Sequence, residues 1–436
     1  MSPHAPATST ALLTDQYELT MLAAALADGS AQCTCTFEVF ARRLPNGRRY
    51  GVVAGIGRLL DALRDFRFGE QELETVANFL DTTTLDWLRD YRFSGDIDGY
   101  PEGELYFPGS PILSVRGSFA ECVVLETLVL SVLNHDSAIA SAAARMVSAA
   151  DGRRLIEMGS RRTHEYAAPA ASRAAYLAGF DATSNLEAVR RFGIPGAGTS
   201  AHAFTLVHSG PDGEHEAAAF RSQVATLGTD TTLLVDTFDI TRGVATAIEV
   251  AGPQLGGVRI DSGDLGVLAR QVRRQLDELG ATSTRIVVSG DLDEYAIAAL
   301  RAEPVDAYGV GTALVTGSGA PTAGMVYKLV EVEGLPVAKR SSHKESRGGT
   351  KRAVRVARDT GTIVEEIVYP ATAPRPAPNG FVVRDLQVPL VRKGEMLERP
   401  SLTESRELVR RGLISLPWEG LKLSAGDPAV PTTFLS

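Results

Sequence analysis

Apolar positions recur at helical spacing over residues 12–27, LLTDQYELTMLAAALA, where Leu19, Leu22 and Leu26 share one face and Thr14 or Asp15 is placed to cap the start. Residues 33–40, CTCTFEVF, alternate and end in aromatics, which predicts a strand, and PNGRRYG (45–51) supplies the turn after it. A long Ala/Leu/Val region over 121–149 reads as helix, interrupted near Asn134–Asp136. From residue 231 the rhythm becomes regular. TTLLVD (231–236), GVRID (257–261), TRIVVS (284–289) and VDAYGV (305–310) read as short strands, with helical stretches between them. The clearest of these helices opens at Asp264 and carries Leu265, Leu268, Val272, Leu276 and Leu279 at helical spacing. Strand and helix in alternation predict a parallel sheet.

The strand ends carry the functional signal. They read Asp236-Thr237, Asp261-Ser262-Gly263-Asp264, Ser289-Gly290-Asp291 and Gly309-Val310-Gly311-Thr312. Polar and glycine residues thus gather at the C-terminal ends of parallel strands, where α/β barrels place their active sites. Ordinary helix capping is the competing explanation for any one of them. The pattern predicts a barrel over residues 115–335, an N-terminal domain over 1–114, and a C-terminal segment, 336–436, packed with that domain. The rhythm breaks after residue 330, and residues 338–355 hold Lys339, Arg340, Lys344, Arg347, Lys351, Arg352 and Arg355 against one Glu.

Composition narrows the class. The 436 residues exceed one ordinary core, and 44% hydrophobic with 22% charged residues is the balance of a globular protein. The net charge of −9 speaks against a general nucleic-acid partner, which calls for the opposite sign, but leaves room for a local anion site. Cys33, Cys35 and Cys122 form neither a disulfide framework nor a zinc-ligand spacing. The first ten residues lack the basic-then-apolar plan of a signal peptide, and no uninterrupted apolar run approaches the roughly 18 residues of a membrane span. The expectation is a cytoplasmic protein with no membrane partner.

The chain has no Walker A loop, no G-x-G-x-x-G opening a helix, and no acidic pair before a Thr-Gly phosphate loop. Gly311 and Thr312 follow a strand and suit a phosphate, since glycine lets backbone N–H groups approach and Thr adds a donor. Ser289 and Gly290, at the neighbouring strand end, are the candidate second half of that cradle. Arg259 and Asp261 lie two apart on a strand and point to one face. Arg259 there suits a carboxylate held by two parallel hydrogen bonds, and Asp261 with Asp264 suits Mg²⁺ bridging a diphosphate. The alternatives are an Arg259–Asp261 ion pair and Asp264 as a helix cap. Adjacent arginines such as Arg161 and Arg162 usually mark a solvated face, but these run directly into small and apolar residues, which suits an anion-facing arginine. His202, near Gly198-Thr199, is one of seven histidines, and a lone histidine is more often structural than catalytic.

Taken together these segments resemble the nicotinate phosphoribosyltransferase family. The matching pieces are LLTDQYELTM (12–21), EGELYFPGSPIL (102–113), GSRRTHEYAAPAASRAAYLAGFDATSN (159–185), GIPGAGTSAHAF (193–204), VRIDSGDL (258–265), VVSGDLDEY (287–295), YGVGTALVT (308–316), and VYKLV with KRSSHK (326–330, 339–344). They occur in family order and span most of residues 12–351. The resemblance implies the type II phosphoribosyltransferase architecture: an irregular TIM-like α/β barrel plus a smaller α+β domain from both chain ends, assembled as a homodimer. It implies nicotinate, phosphoribosyl pyrophosphate and ATP as substrates, Mg²⁺ as cofactor, and ATP coupling in a ligase-type reaction on the way to NAD. It assigns Tyr17 to stack on the pyridine ring, Arg259 with Arg161 or Arg162 to the nicotinate carboxylate, and Thr199 to the pocket. It assigns Ser289, Gly290, Gly311 and Thr312 to phosphates, and His202 to the histidine that the family phosphorylates. Where the sister nicotinamide enzyme carries an aspartate, this chain has Ser184. A neutral serine beside arginines suits a carboxylate better than an amide. The rival readings are a nicotinamide or quinolinate phosphoribosyltransferase and a phosphosugar lyase or isomerase. The last needs a base or Schiff-base lysine at a strand end, and the four clear strand ends carry no lysine.

Overall fold

The computed structural model describes residues 9–210, 215–339 and 347–436. The chain divides into two compact units, residues 1–141 with 320–436 and residues 142–319.

In the second unit, six strands form one parallel sheet. Their order is Ala182–Thr183, Arg154–Glu157, Ala307–Val310, Arg285–Ser289, Gly257–Ile260 and Thr232–Leu234. Val258, Ile260, Ile286, Val288, Tyr308 and Val310 are wholly buried, as parallel strands covered by helices require. The four strands expected after residue 231 are present within a residue or two of their predicted ends. The other two, of four and two residues, lie outside the regular strand–helix rhythm that begins at residue 231. The two edge strands do not pair with each other. Residues 195–199 run between them instead. The Thr183 N–H donates to the Pro195 carbonyl (3.0 Å), Ala197 N–H to the Thr183 carbonyl (2.9 Å), and the Thr199 hydroxyl to the Thr232 carbonyl (3.0 Å). The sheet is therefore curled and closed irregularly, as the expected α/β barrel implies.

The unpaired N–H groups at the sheet's ragged ends are met by acids. Asp181 accepts from Leu155 N–H at 2.9 Å and Asp306 from Ile286 N–H at 2.7 Å. Each acid stands just before the start of a neighbouring strand and ties it to the next.

The first unit is α+β and draws on both chain ends. Its largest sheet holds Thr34–Ala41 between Met325–Val332 and Leu113–Ser118, all antiparallel. A second sheet joins Lys351–Ala357 to Ile363–Pro370, with Thr432–Phe434 at its edge. Glu38, fully buried, accepts from the Lys351 backbone at 2.8 Å and pairs with its ammonium at 2.9 Å, which fastens the tail to the early strand. This pairing moves the expected barrel limits. Leu113–Ser118 and Met325–Val332 both belong to the first unit's sheet, so the division falls near 142 and 319 rather than at 115 and 335. Residues 340–346 of the basic run lie outside the described residues.

Two local expectations are corrected. The first helix is Gln16–Asp28, but the Asp15 side chain makes no cap bond, and the Thr14 hydroxyl goes to Glu18. The long helix runs unbroken from Glu126 to Ala150, and the interruption lies at Val124-Leu125 instead of Asn134–Asp136. The polar residues that suggested a break are anchors. Asn134 bonds both ways to the Met325 backbone (2.8 and 3.2 Å), and Ser137 and Ser141 accept from the Ala54 and Val52 N–H groups (3.1 and 2.9 Å). The stretch Phe119–Ala150 is long and apolar enough to cross a membrane by length and composition, but 67% of its most apolar window is buried in this fold, as in a core helix.

Asp136, wholly buried on that helix, pairs with Arg58 at 2.7 Å and His135 at 2.8 Å. Burial alone would raise its carboxyl; the Arg58 guanidinium and the hydrogen bonds from His135 and Arg58 outweigh burial and hold it below the usual carboxylate range. A carboxyl depressed by folding adds stability above its unfolded pKa, about 3.9, and that stability is lost as pH falls through the folded value. Arg58→Ala is expected to cost about 2–3 kcal/mol at neutral pH, with the gap closing below about pH 4. Urea denaturation of both proteins from pH 7 to 3 checks this, and a pH-independent gap would contradict it.

Candidate active site

Every candidate site residue but one lies at or beside the C-terminal edge of the parallel sheet. Arg154–Glu157 leads to Arg161 and Arg162, Ala182–Thr183 to Ser184, and Gly257–Ile260 to Asp261. Arg285–Ser289 ends in Ser289 itself before Gly290, and Ala307–Val310 runs into Gly311 and Thr312. The connecting segment carries Thr199 and then His202, which begins the short helix His202–Leu206. The exception is Tyr17, in the first unit.

A chain of polar contacts links the ends of three strands, Thr232–Leu234, Gly257–Ile260 and Arg285–Ser289, and the His202 helix. The His202 ring Nε2 lies 3.0 Å from an oxygen of Asp236, whose side chain is only 1% exposed. The other Asp236 oxygen accepts from Asp261 N–H at 2.7 Å and from the Ser262 hydroxyl at 3.2 Å. The Ser289 hydroxyl donates to Asp261. Gly290 follows with φ near +103°, and a Cβ there would come within 2.4 Å of the Asp261 carbonyl, so only glycine fits this approach. Asp236 is thus the hub of the site. Sequence reasoning noted its place at a strand end and gave it no role.

The alternatives raised by the sequence divide. No ion pair joins Arg259 to Asp261; the Arg259 Nε is buried without a partner, and the guanidinium makes no ion pair among the described residues. Asp264 does cap its helix, accepting from Val267 N–H at 3.1 Å. Arg161 and Arg162, on the turn Ser160–Arg162, are exposed and have no acid partner among the described residues. The Ser184 and Thr312 side chains are likewise exposed. The Thr199 and Ser289 hydroxyls are already engaged, with the Thr232 carbonyl and with Asp261. Among the described residues no three His, Cys, Asp or Glu side chains converge as a metal-binding group.

Tyr17, on Gln16–Asp28, is 46% exposed. Partial burial, with Glu126, Glu18 and Asp15 nearby, pushes its phenol up to about 12, so it stays a neutral hydroxyl throughout the physiological range.

Residues 12–134 match the nicotinate phosphoribosyltransferase N-terminal domain, and residues 153–362 match the nicotinate phosphoribosyltransferase family. A nicotinate phosphoribosyltransferase of Mycobacterium tuberculosis is 68% identical over 424 residues, covering 97% of this chain and 94% of that one. The human nicotinate phosphoribosyltransferase is 32% identical, again covering 97% and 94%. The fold matches the crystal structure of human nicotinic acid phosphoribosyltransferase with a TM-score of 0.84 at 28% identity, over 97% of both chains. It matches the nicotinate-nucleotide pyrophosphorylase of Pyrococcus furiosus with a TM-score of 0.78 at 26% identity, over 95% of this chain and 98% of that one. With both family models in chain order and the strand-end residues gathered on one edge of the barrel, the chain belongs to the nicotinate phosphoribosyltransferase family.

Proposed function

We propose that this chain forms nicotinate mononucleotide from nicotinate and phosphoribosyl pyrophosphate, and couples the transfer to ATP through a phosphohistidine at His202, in salvage of nicotinate for NAD. The observation that carries the coupling is the His202–Asp236 contact. A buried carboxylate opposite Nε2 favours the tautomer with the proton on that nitrogen. The lone pair is then on Nδ1, which makes no hydrogen bond among the described residues. Nδ1 attacks the γ-phosphorus of ATP and ADP leaves; water later releases the phosphoryl group as phosphate. Asp236 stabilises the charge that the ring acquires, as a carboxylate behind a reacting imidazole does.

In the transfer itself the pyridine nitrogen forms a bond to C1 of the ribose as the C1–oxygen bond to diphosphate breaks. Nicotinate is already an anion with a free ring nitrogen, so no general base is needed. The site's tasks are positioning and charge stabilisation. Arg259, with Arg161 and Arg162, binds the carboxylate; their lack of acid partners leaves those charges for a ligand. Tyr17 packs its exposed ring on the pyridine, supplied by a partner copy in a homodimer. Gly290, Gly311 and Thr312 take phosphate oxygens. Ser289 acts through Asp261. Asp261 has one carboxylate oxygen without a protein partner and would hold Mg²⁺, with Asp264 beside it. So few protein ligands fit that ion, which keeps waters and substrate phosphates in its shell and would neutralise the leaving diphosphate.

The direct test offers the purified protein phosphoribosyl pyrophosphate, Mg²⁺ and either nicotinate or nicotinamide, with and without ATP. Nicotinate mononucleotide formed faster with ATP is the expected result; product from nicotinamide alone would overturn the substrate. His202→Ala is expected to abolish ATP dependence and leave a slow, uncoupled transfer. Labelling of that variant by γ-radiolabelled ATP would remove His202 from the role. Arg259→Ala is expected to raise KM for nicotinate about 30-fold or more, the loss of a paired carboxylate contact. An unchanged KM would place the carboxylate elsewhere.

A further inference from the structure

Glu157 ends the strand Arg154–Glu157 and is 1% exposed. One carboxylate oxygen accepts from Gly159 N–H at 2.5 Å. The other accepts from the hydroxyls of Ser172 (2.8 Å) and Thr183 (2.5 Å). No cation pairs with it among the described residues. A carboxylate out of water and without a counter-charge persists only where donors surround it, and here three converge from three segments.

Two of those segments carry the acid-recognising residues; the third, with Ser172, is the helix Ala168–Ala178. Gly159 opens the turn bearing Arg161 and Arg162. Thr183 precedes Ser184, whose N–H donates to the Glu157 carbonyl at 2.9 Å. The network then closes on itself. Asn185 N–H donates to the Thr183 hydroxyl and its side-chain amide to the Ser160 hydroxyl, both at 3.0 Å. Position 159 has room only for glycine, since a Cβ there would lie 2.2 Å from Val315 Cγ1. The arginine turn and the Ser184 turn are therefore held in one register by the buried Glu157 side chain, with the Asn185–Ser160 contact beside it.

We propose that Glu157 is the positioning residue of the carboxylate pocket: it sets Arg161, Arg162 and Ser184 where they meet the nicotinate carboxylate together. The proposal rests on the reading above that these three residues line that pocket. It explains why an acid stands behind a site for an anion. A glutamine has one acceptor oxygen and cannot accept from all three donors, whereas a carboxylate has about four lone-pair sites.

Steady-state kinetics of Glu157→Ala, Glu157→Gln and Thr183→Val, with nicotinate and phosphoribosyl pyrophosphate titrated separately and Tm recorded for each, test the idea. Glu157→Ala is expected to raise KM for nicotinate about tenfold or more, equivalent to about 1.4 kcal/mol, with kcat and KM for phosphoribosyl pyrophosphate within about threefold of the parent. Thr183→Val and Glu157→Gln are expected to raise the same constant less, Glu157→Gln because it keeps an acceptor for Gly159 N–H. A folded Glu157→Ala with unchanged nicotinate KM, or one that loses only kcat, overturns the proposal. If Glu157→Ala does not fold, unchanged nicotinate KM in the other two variants overturns it equally. An Arg161→Ala/Arg162→Ala double variant separates the premises. Unchanged KM there overturns the pocket assignment; a raised KM there with none in the Glu157 and Thr183 variants overturns the brace alone.

Discussion

A parallel sheet that curls leaves backbone N–H groups unpaired at its ends, and acids answer them in this barrel. Asp181 and Asp306 do so where strands begin, and Glu157 and Asp236 where they finish. A buried N–H without an acceptor costs about as much as a lost hydrogen bond, and a charged acceptor makes the stronger bond. The acids that finish strands also pin the loops that follow. Glu157 holds the arginine turn, and Asp236 holds both the Asp261 backbone and the His202 ring.

The electrostatic plan follows from that scaffold. Acids stand behind the site, satisfied by N–H and O–H donors, and cations stand in front of it. Several of the barrel's other arginines pair with acids, as in Arg270–Glu303, Arg273–Asp277 and Arg301–Asp151. Arg161, Arg162 and Arg259 have no such partners among the described residues. A ligand with a carboxylate and a diphosphate fits that imbalance, and a neutral ligand would leave it unanswered. Preorganised charge of this kind lowers a barrier without reorganisation during the reaction.

The first unit shows the same economy of polar groups in a different setting. Its long helix is apolar enough to pass for a membrane span, but Asn134, Asp136, Ser137 and Ser141 each bind a neighbouring segment. Read along the chain, those residues suggest a break in the helix. In the fold they are what ties the helix to the backbone at Val52, Ala54 and Met325.

The sequence by itself determined the alternation of strand and helix after residue 231, the cap at Asp264, and the gathering of glycine and polar residues at strand ends. These are local matters: β-branched runs, helical spacing and a side chain reaching its own helix's N–H act within a few residues. The motifs also named Tyr17, His202 and Arg259 before any distance was known. Only the tertiary structure decided that Asp236 faces His202 across 34 positions, that Glu157 gathers Ser172 and Thr183, and that Arg259 forgoes Asp261. Those outcomes depend on which strands become neighbours. That choice is made by burial of whole elements, and it leaves no periodic trace at the residues that meet.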